Sequence, residues 1–280
     1  MTARQDPFRT PPVALTVAGT DSGGAAGVAA DLTTFAALGV HGACAVTAVT
    51  AQSTVGVHSV HVLPPAEVRA QVTAVLDDLP VAAVKAGMLG SPEAVRLVAE
   101  SLPGRPGRPL VVDPVLVATS GAVLGDAGVA AAYTRVLLPL ATVVTPNLDE
   151  ARTLLGRDLP RRDAAAGLAE LGCTVVLTGG PDGAGPSTTC VDWLAEPGCV
   201  PVPLEHPVVD TTHDHGTGCT HSAALAARLA HGDLVADAAR AASDFTTDRL
   251  RAGSGWRLGR GRGPLPHVHT RSTDPSGGEL

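Results

Sequence analysis

An α/β fold in three layers, with a mostly parallel central sheet and helices on both faces, is predicted by three features of this 280-residue sequence. Short apolar runs alternate with Ala-rich stretches of helical spacing along most of the chain. Hydrophobic residues make up 45% but aromatics only 2%, so the core must be assembled from Ala, Val and Leu, as in buried parallel strands under small-residue helices. The apolar runs end in Gly, Asp, Asn, Thr or Gln, and the carboxyl ends of strands are where open α/β sheets bind ligands.

The elements follow in order. Residues 1–11 are expected to form a loose arm. "VALTVAG" (13–19) reads as a buried strand, and "GGAAGVAADLTTFAALG" as a helix with Val28, Leu32 and Phe35 at helical spacing, closing on Gly39. "ACAVTAVTAQ" (43–52) reads as one strand and "VGVHSVHVL" (55–63) as an additional extended piece. A helix over 65–79 places Val68, Val72, Val75 and Leu79 on one face. "AAVKAGML" (82–89) is the next strand; its helix opens with Ser91 as cap and Pro92 at the first helical position, where a missing N–H costs nothing. Strands follow at 109–115, 141–147 and 173–180, then a hairpin from "CVDWLA" and "VPVPLEHPVVD". Helices over about 217–231 and 233–252 close the fold before a Gly/Arg/Pro/His tail. No internal repeat or long linker appears, so residues 12–269 are expected to form one domain, with a disordered tail over 270–280.

Net charge is −7 and no Lys/Arg block precedes the tail, which argues against a nucleic-acid partner. No apolar run is long enough to span a bilayer, and the N-terminus has no signal-peptide core. Five cysteines (44, 173, 190, 199, 219) form no close pairs and read as reduced thiols of a cytoplasmic protein. The chain has a single lysine, Lys85.

The strand exits read "AGTDSGG", "TAQST", "KAGML", "DPVLVATSG", "TPNLDE" and "LTGG", joined by the loop "HDHGTGC". Gly19 to Gly24 has the spacing of a phosphate-binding P-loop, but Ala25 stands where lysine is needed, and no dinucleotide fingerprint is present. "HDH" (213–215) and "HVH" (267–269) are weak metal signals and read better as solvated loop histidines. "GTGC" (216–219) is different. At a helix start the amides lack intrahelical partners and the macrodipole is positive, so glycines there let an anion approach the backbone. Cys219 in that field is expected to ionise more easily than a free thiol.

Taken in order, "AGTDSGG…GVAADL", "TAVTAQST", "KAGML", "VVDPVLVATSG", "TPNLDEA", "HGTGCTHSAA" and "GRGRGPLPHVH" resemble the ribokinase-like superfamily. Within it the resemblance is to the hydroxymethylpyrimidine/phosphomethylpyrimidine kinases of thiamine biosynthesis, over about residues 13–269. It implies a ribokinase-like fold and ATP- and Mg²⁺-dependent phosphorylation of a hydroxymethylpyrimidine and then of its monophosphate. It implies that Gly216, Thr217 and Gly218 cradle the transferred phosphoryl group, and that Cys219, standing where sugar-kinase relatives carry a catalytic Asp, takes the proton of the substrate hydroxyl. It places Gly19, Asp31, Gln52 and Met88 at the pyrimidine, Thr145, Asn147, Thr178 and Gly180 near the nucleotide, and Asp113 and Glu150 at the metal. A small-molecule substrate, no membrane partner and a homodimer complete the expectation.

The chain departs from the family pattern at several positions. Thr119 and Thr178 replace lysines, Pro181 replaces a histidine, and Ala29 and Thr33 replace Gln and Lys. Asp214 adds an acid beside the anion turn, and His221 replaces a leucine. Two cations lost and one acid gained near a triphosphate weaken ATP binding on Coulomb grounds. The alternatives are therefore a pyrimidine- or vitamin-binding protein with weakened catalysis, or a pyridoxal kinase.

Overall fold

The computed structural model describes residues 10–102, 108–117, 124–180 and 188–267. Most of the expected arm, the tail, Thr119, Pro181 and His269 lie outside the described residues.

Strand β1 (Val13–Ala18) is buried along its whole length. It pairs in parallel with β2 (His41–Val46) on one side and β5 (Val81–Ala86) on the other. The sheet continues in parallel through β6 (Leu110–Val112), β7 (Val143–Val144) and β8 (Thr174–Leu177). It then turns antiparallel into β9 (Thr189–Ala195) and β10 (Val202–Pro207), the expected hairpin. The order is β10-β9-β8-β7-β6-β5-β1-β2.

Because successive strand residues point to opposite faces, the sheet feeds two cores. Val13, Leu15, Val17, Leu110, Val112, Val175 and Leu177 enter one, and Ala14, Val111 and Val176 the other. The first core is covered by α2 (Pro65–Asp78), α3 (Pro92–Ser101), α4 (Ala127–Ala132), α5 (Leu148–Leu155) and α6 (Arg161–Ala169). The second is covered by α1 (Gly27–Ala37), α7 (Thr217–Ala230) and α8 (Val235–Gly253). These are the three layers the composition predicts.

Local signals set the helix starts. Ser91 accepts the Ala94 N–H at 3.1 Å, with Pro92 at the first helical position. Asn147 opens α5 with a capping box: it accepts the Glu150 N–H at 2.9 Å while Glu150 accepts the Asn147 N–H at 3.0 Å.

The structure corrects the sequence reading in two places. The run 43–52 is not one strand: it splits into β2 and β3 (Ala48–Ser53), which belong to different sheets. Thr47, fully buried, makes the corner. Its amide bonds to the Ala18 carbonyl (3.0 Å), its hydroxyl to the Met88 carbonyl (2.7 Å), and its own carbonyl takes the Leu63 N–H (2.8 Å). Strand β3 then pairs antiparallel with β4 (Gly56–Val62) as a separate two-stranded sheet. The second correction is the presence of α4, α5 and α6, which the sequence pattern does not predict. They span only 6, 8 and 9 residues, too short for their periodicity to stand out and stable only through packing.

Candidate active site

One cavity of about 590 Å³ opens along the carboxyl ends of the strands. Its walls bring together almost every residue singled out from the sequence. Gly19, Gln52 and Met88 line one end, Asp113 and Glu150 the middle, and Thr145, Asn147, Thr178 and Gly180 the other end, with Gly216, Thr217, Gly218 and Cys219 along one side.

The turn into α7 explains its glycines. Gly216 has φ +89°, and a Cβ there would lie 1.8 Å from the Ala25 carbonyl oxygen, so only glycine fits. At Gly218 a Cβ would meet nothing within 4 Å, so that position leaves open space above the backbone. No side chain caps the helix. The Thr217 amide bonds to the Asp214 carbonyl at 3.3 Å and the Thr220 amide to the Gly216 carbonyl at 2.8 Å. The Gly218 and Cys219 amides have no acceptor among the described residues, as an anion site at a helix start requires.

Cys219 overturns one expectation. Burial pushes its thiol up to about 12; Lys85 pulls the other way, but Asp113 and Asp31 add to the rise. The direction of the shift is thus opposite to the one expected from the helix start.

Asp31 does not line the cavity. It is fully buried below the floor, where its two oxygens lie 2.9 and 3.0 Å from the Lys85 ammonium and one accepts the Thr16 hydroxyl at 2.6 Å. Direct contact with a pyrimidine is therefore replaced by a structural role. Lys85, equally buried, also lies 3.7 Å from Asp113. Burial disfavours its charge, yet Asp31, Cys219 and Asp113 hold the ammonium above its ordinary value. Lys85 is not among the site residues the sequence suggests, although the only lysine of the chain, set inside an apolar strand, is a visible signal. Asp113 is fixed further by the Ser222 hydroxyl at 3.0 Å.

At the Gln52 end, loop and hairpin are stitched together. The Ser22 hydroxyl donates to the Gln52 carbonyl (2.7 Å) and accepts its amide (2.8 Å). The Gln52 carboxamide nitrogen lies 2.8 Å from His215 Nε2, which is 3.3 Å from an Asp21 oxygen. Asp21 accepts the amides of Gly23, Ala25 and Ala26 at 2.8–3.0 Å. Burial alone would raise its pKa, but the His215 hydrogen bond and these amides leave it lowered. His213 and His215 are buried, and His267 bonds to the Thr220 hydroxyl at 3.0 Å. His215 lines the cavity; His213 is buried and His267 half-buried, so none of the three is a solvated loop histidine. Among the described residues no cluster of three metal-ligating side chains occurs.

The far end carries a network that the sequence did not reveal, because its members come from four elements. Asp192 on β9 accepts the Ser243 hydroxyl (2.9 Å) and lies 3.3 Å from His206 Nε2. The Gly179 amide donates to its other oxygen at 3.1 Å, and His221 Nε2 is 3.3 Å from the Ser243 oxygen. The Asp192 hydrogen bond raises the His206 pKa against the opposing effect of burial, whereas burial lowers that of His221. Arg161 reinforces the adjoining loop, donating to the carbonyls of Gly180 (2.6 Å) and Thr178 (3.2 Å). The acid added at Asp214 is answered too: Arg262 grips it through both carboxylate oxygens.

Comparison with known proteins follows the same lines. The family described as phosphomethylpyrimidine kinase matches residues 21–266. The hydroxymethylpyrimidine/phosphomethylpyrimidine kinase of Streptomyces coelicolor is 47% identical over 272 residues, covering 95% of this chain and 98% of that protein. The thiamine biosynthesis bifunctional protein ThiED of Geobacter sulfurreducens is 43% identical over 95% of this chain and 54% of that protein. An ADP complex of Bacillus subtilis pyridoxal kinase superposes with a TM-score of 0.82 at 36% identity, over 92% of this chain and 98% of that one.

Proposed function

The chain belongs to the phosphomethylpyrimidine kinase family, and from that premise we propose how its cavity phosphorylates hydroxymethylpyrimidine and its monophosphate at the expense of ATP. The reaction serves thiamine biosynthesis. The observation that carries the site assignment is that residues 218 and 219, whose amides have no acceptor among the described residues, line the same cavity as Gln52, Asp113 and Glu150.

Gln52, with Gly19 and Met88, holds the pyrimidine; a carboxamide can both accept from the exocyclic amine and donate to a ring nitrogen. Thr145, Asn147, Thr178 and Gly180 flank the nucleotide. The Gly218 and Cys219 amides stabilise charge on the transferring group, and such preorganised donors are the main demand of phosphoryl transfer. Cys219 orients the acceptor hydroxyl. A thiol held at about 12 is in the wrong protonation state for a general base near neutral pH, and a loose transition state calls for little base assistance.

The donor set fits Mg²⁺. Asp113 and Glu150 offer only carboxylate oxygens, and burial together with Asp113 pushes Glu150 up to about 8, the mark of two crowded acids awaiting a counter-charge. Two carboxylates, with water and phosphate completing the shell, match the way this hard cation binds. When bound there it would neutralise phosphate charge.

One kinase domain over 12–269, acting as a cytoplasmic homodimer, completes the reading. Support comes from five free cysteines and from apolar Val49, Val60 and Val62 exposed on the β3–β4 hairpin. Among the described residues no helix is long and apolar enough to cross a membrane.

A coupled ADP-release assay with Mg-ATP tests the reading. Turnover is expected with the pyrimidine alcohol and with its monophosphate. Turnover with pyridoxal and with neither pyrimidine would transfer the site to the other vitamin; pyrimidine binding without ADP release would make it a binding protein.

A further inference from the structure

The cavity wall has a charge imbalance. Its described lining residues include five acidic side chains, Asp21, Asp113, Glu150, Asp192 and Asp214, and one permanently cationic side chain, Arg262. The two other cations nearby are already engaged: Lys85 lies beneath the floor on Asp31 and Asp113, and Arg161 is bonded to the carbonyls of Thr178 and Gly180. A phosphate ester entering this space needs a cation to offset the acidic walls.

The position of Arg262 is set by its backbone neighbours. The Thr54 hydroxyl, at the tip of the β3–β4 hairpin, accepts the amides of Arg260 (3.2 Å) and Gly261 (3.3 Å). On the other side the Gly263 carbonyl accepts the His215 amide at 3.0 Å. The ring of that same His215 touches Gln52, and one residue further on the anion turn begins. Arg262 therefore lines the cavity together with Gln52 and with residues 218 and 219. On the kinase reading, a phosphate esterified to a pyrimidine held by Gln52 enters the part of the cavity that Arg262 lines.

We propose that Arg262 binds the phosphate of the monophosphate acceptor and so sets the preference between the two substrates; this rests on the kinase reading above. The guanidinium fork already shows the required geometry. Its Nε lies 2.6 Å from Asp214 Oδ1 while Nη2 donates to Oδ2, a bidentate arrangement that phosphate oxygens match equally well. The pair is not sealed: the Arg262 side chain is 58% exposed, so it can turn from the carboxylate to a ligand without stranding a buried charge. Asp214 occupies the fork in the free enzyme, and a dianionic phosphate outcompetes a single carboxylate for it.

The test compares kcat/KM for the alcohol and the monophosphate, under saturating Mg-ATP, across Arg262→Gln, Arg262→Lys and Asp214→Asn. In Arg262→Gln the monophosphate-to-alcohol ratio falls by at least about tenfold, through KM, the scale of one lost charge-assisted pair. Arg262→Lys restores part of it, and Asp214→Asn raises it above wild type. A ratio unchanged in Arg262→Gln, or a fall in Asp214→Asn, overturns the proposal. Thermal-shift titration without ATP gives a second readout that survives failure of the kinase reading. Stabilisation by the monophosphate, relative to that by the alcohol, shrinks in Arg262→Gln; an equal shift in wild type and variant also overturns the proposal.

Discussion

The Lys85 ammonium lies 2.9 and 3.0 Å from the two carboxylate oxygens of Asp31, with both side chains fully buried beneath the cavity floor. Removing one member leaves an uncompensated charge in the interior. Lys85→Met should therefore cost about 3–5 kcal/mol of stability, measured by urea unfolding. The double variant Lys85→Met/Asp31→Leu should recover much of that loss. Additive losses would show that the two groups are not energetically coupled.

Gly216 is fixed by backbone and by space. Alanine there must take φ near +89° with its Cβ 1.8 Å from the Ala25 oxygen, so the turn has to move. Gly216→Ala is expected to lose about 1–3 kcal/mol of stability and nearly all ADP release, whereas Gly218→Ala, with open space at its Cβ, should keep its stability while impairing turnover. Equal thermal stability of Gly216→Ala and wild type would contradict this account of the turn.

The Cys219 thiol, pushed up to about 12, should react slowly. Its thiolate population at pH 7.5 is far below that of an ordinary cysteine. Peptide mapping after brief iodoacetamide treatment should find Cys219 unmodified while exposed Cys199 is labelled. Cys219→Ser, which keeps a group able to orient the hydroxyl, should retain turnover within about tenfold. Rapid alkylation of Cys219, or complete inactivity of the serine variant, would return the residue to the role of base.

Glu150 gives a pH signature. Its folded value, about 8, stands above the ordinary 4.5, so the folded protein binds this proton more tightly than the unfolded chain. The stabilisation is complete below 4.5 and is lost as pH rises through about 8. Melting of the ligand-free protein should therefore decline from pH 6 to pH 9. Glu150→Gln keeps an acceptor for the Asn147 amide and should flatten that decline, gaining on the order of 2 kcal/mol at pH 9 relative to wild type. A variant with the same slope as wild type would mean the carboxyl is ionised throughout.

Much of the sheet was readable in one dimension because parallel strands are buried on both faces and appear as unbroken apolar runs. What escaped was set by contacts distant in sequence. The corner at Thr47 looks like any threonine in a strand until the Met88 and Leu63 backbones are beside it. The family resemblance places Asp31 at the ligand, and only the fold shows Lys85 against it, 54 residues away in sequence. The glycine turn was legible for the opposite reason: its chemistry is local, carried by four consecutive residues and the helix they start.

The solitary lysine has a practical consequence. Since Lys85 is fully enclosed in the folded chain and no other side-chain amine exists, an acylating reagent can reach that nitrogen only in molecules that have opened. Once the α-amine has reacted, a further acylation in the intact mass reports Lys85 and so clocks opening of the chain, with no engineered label.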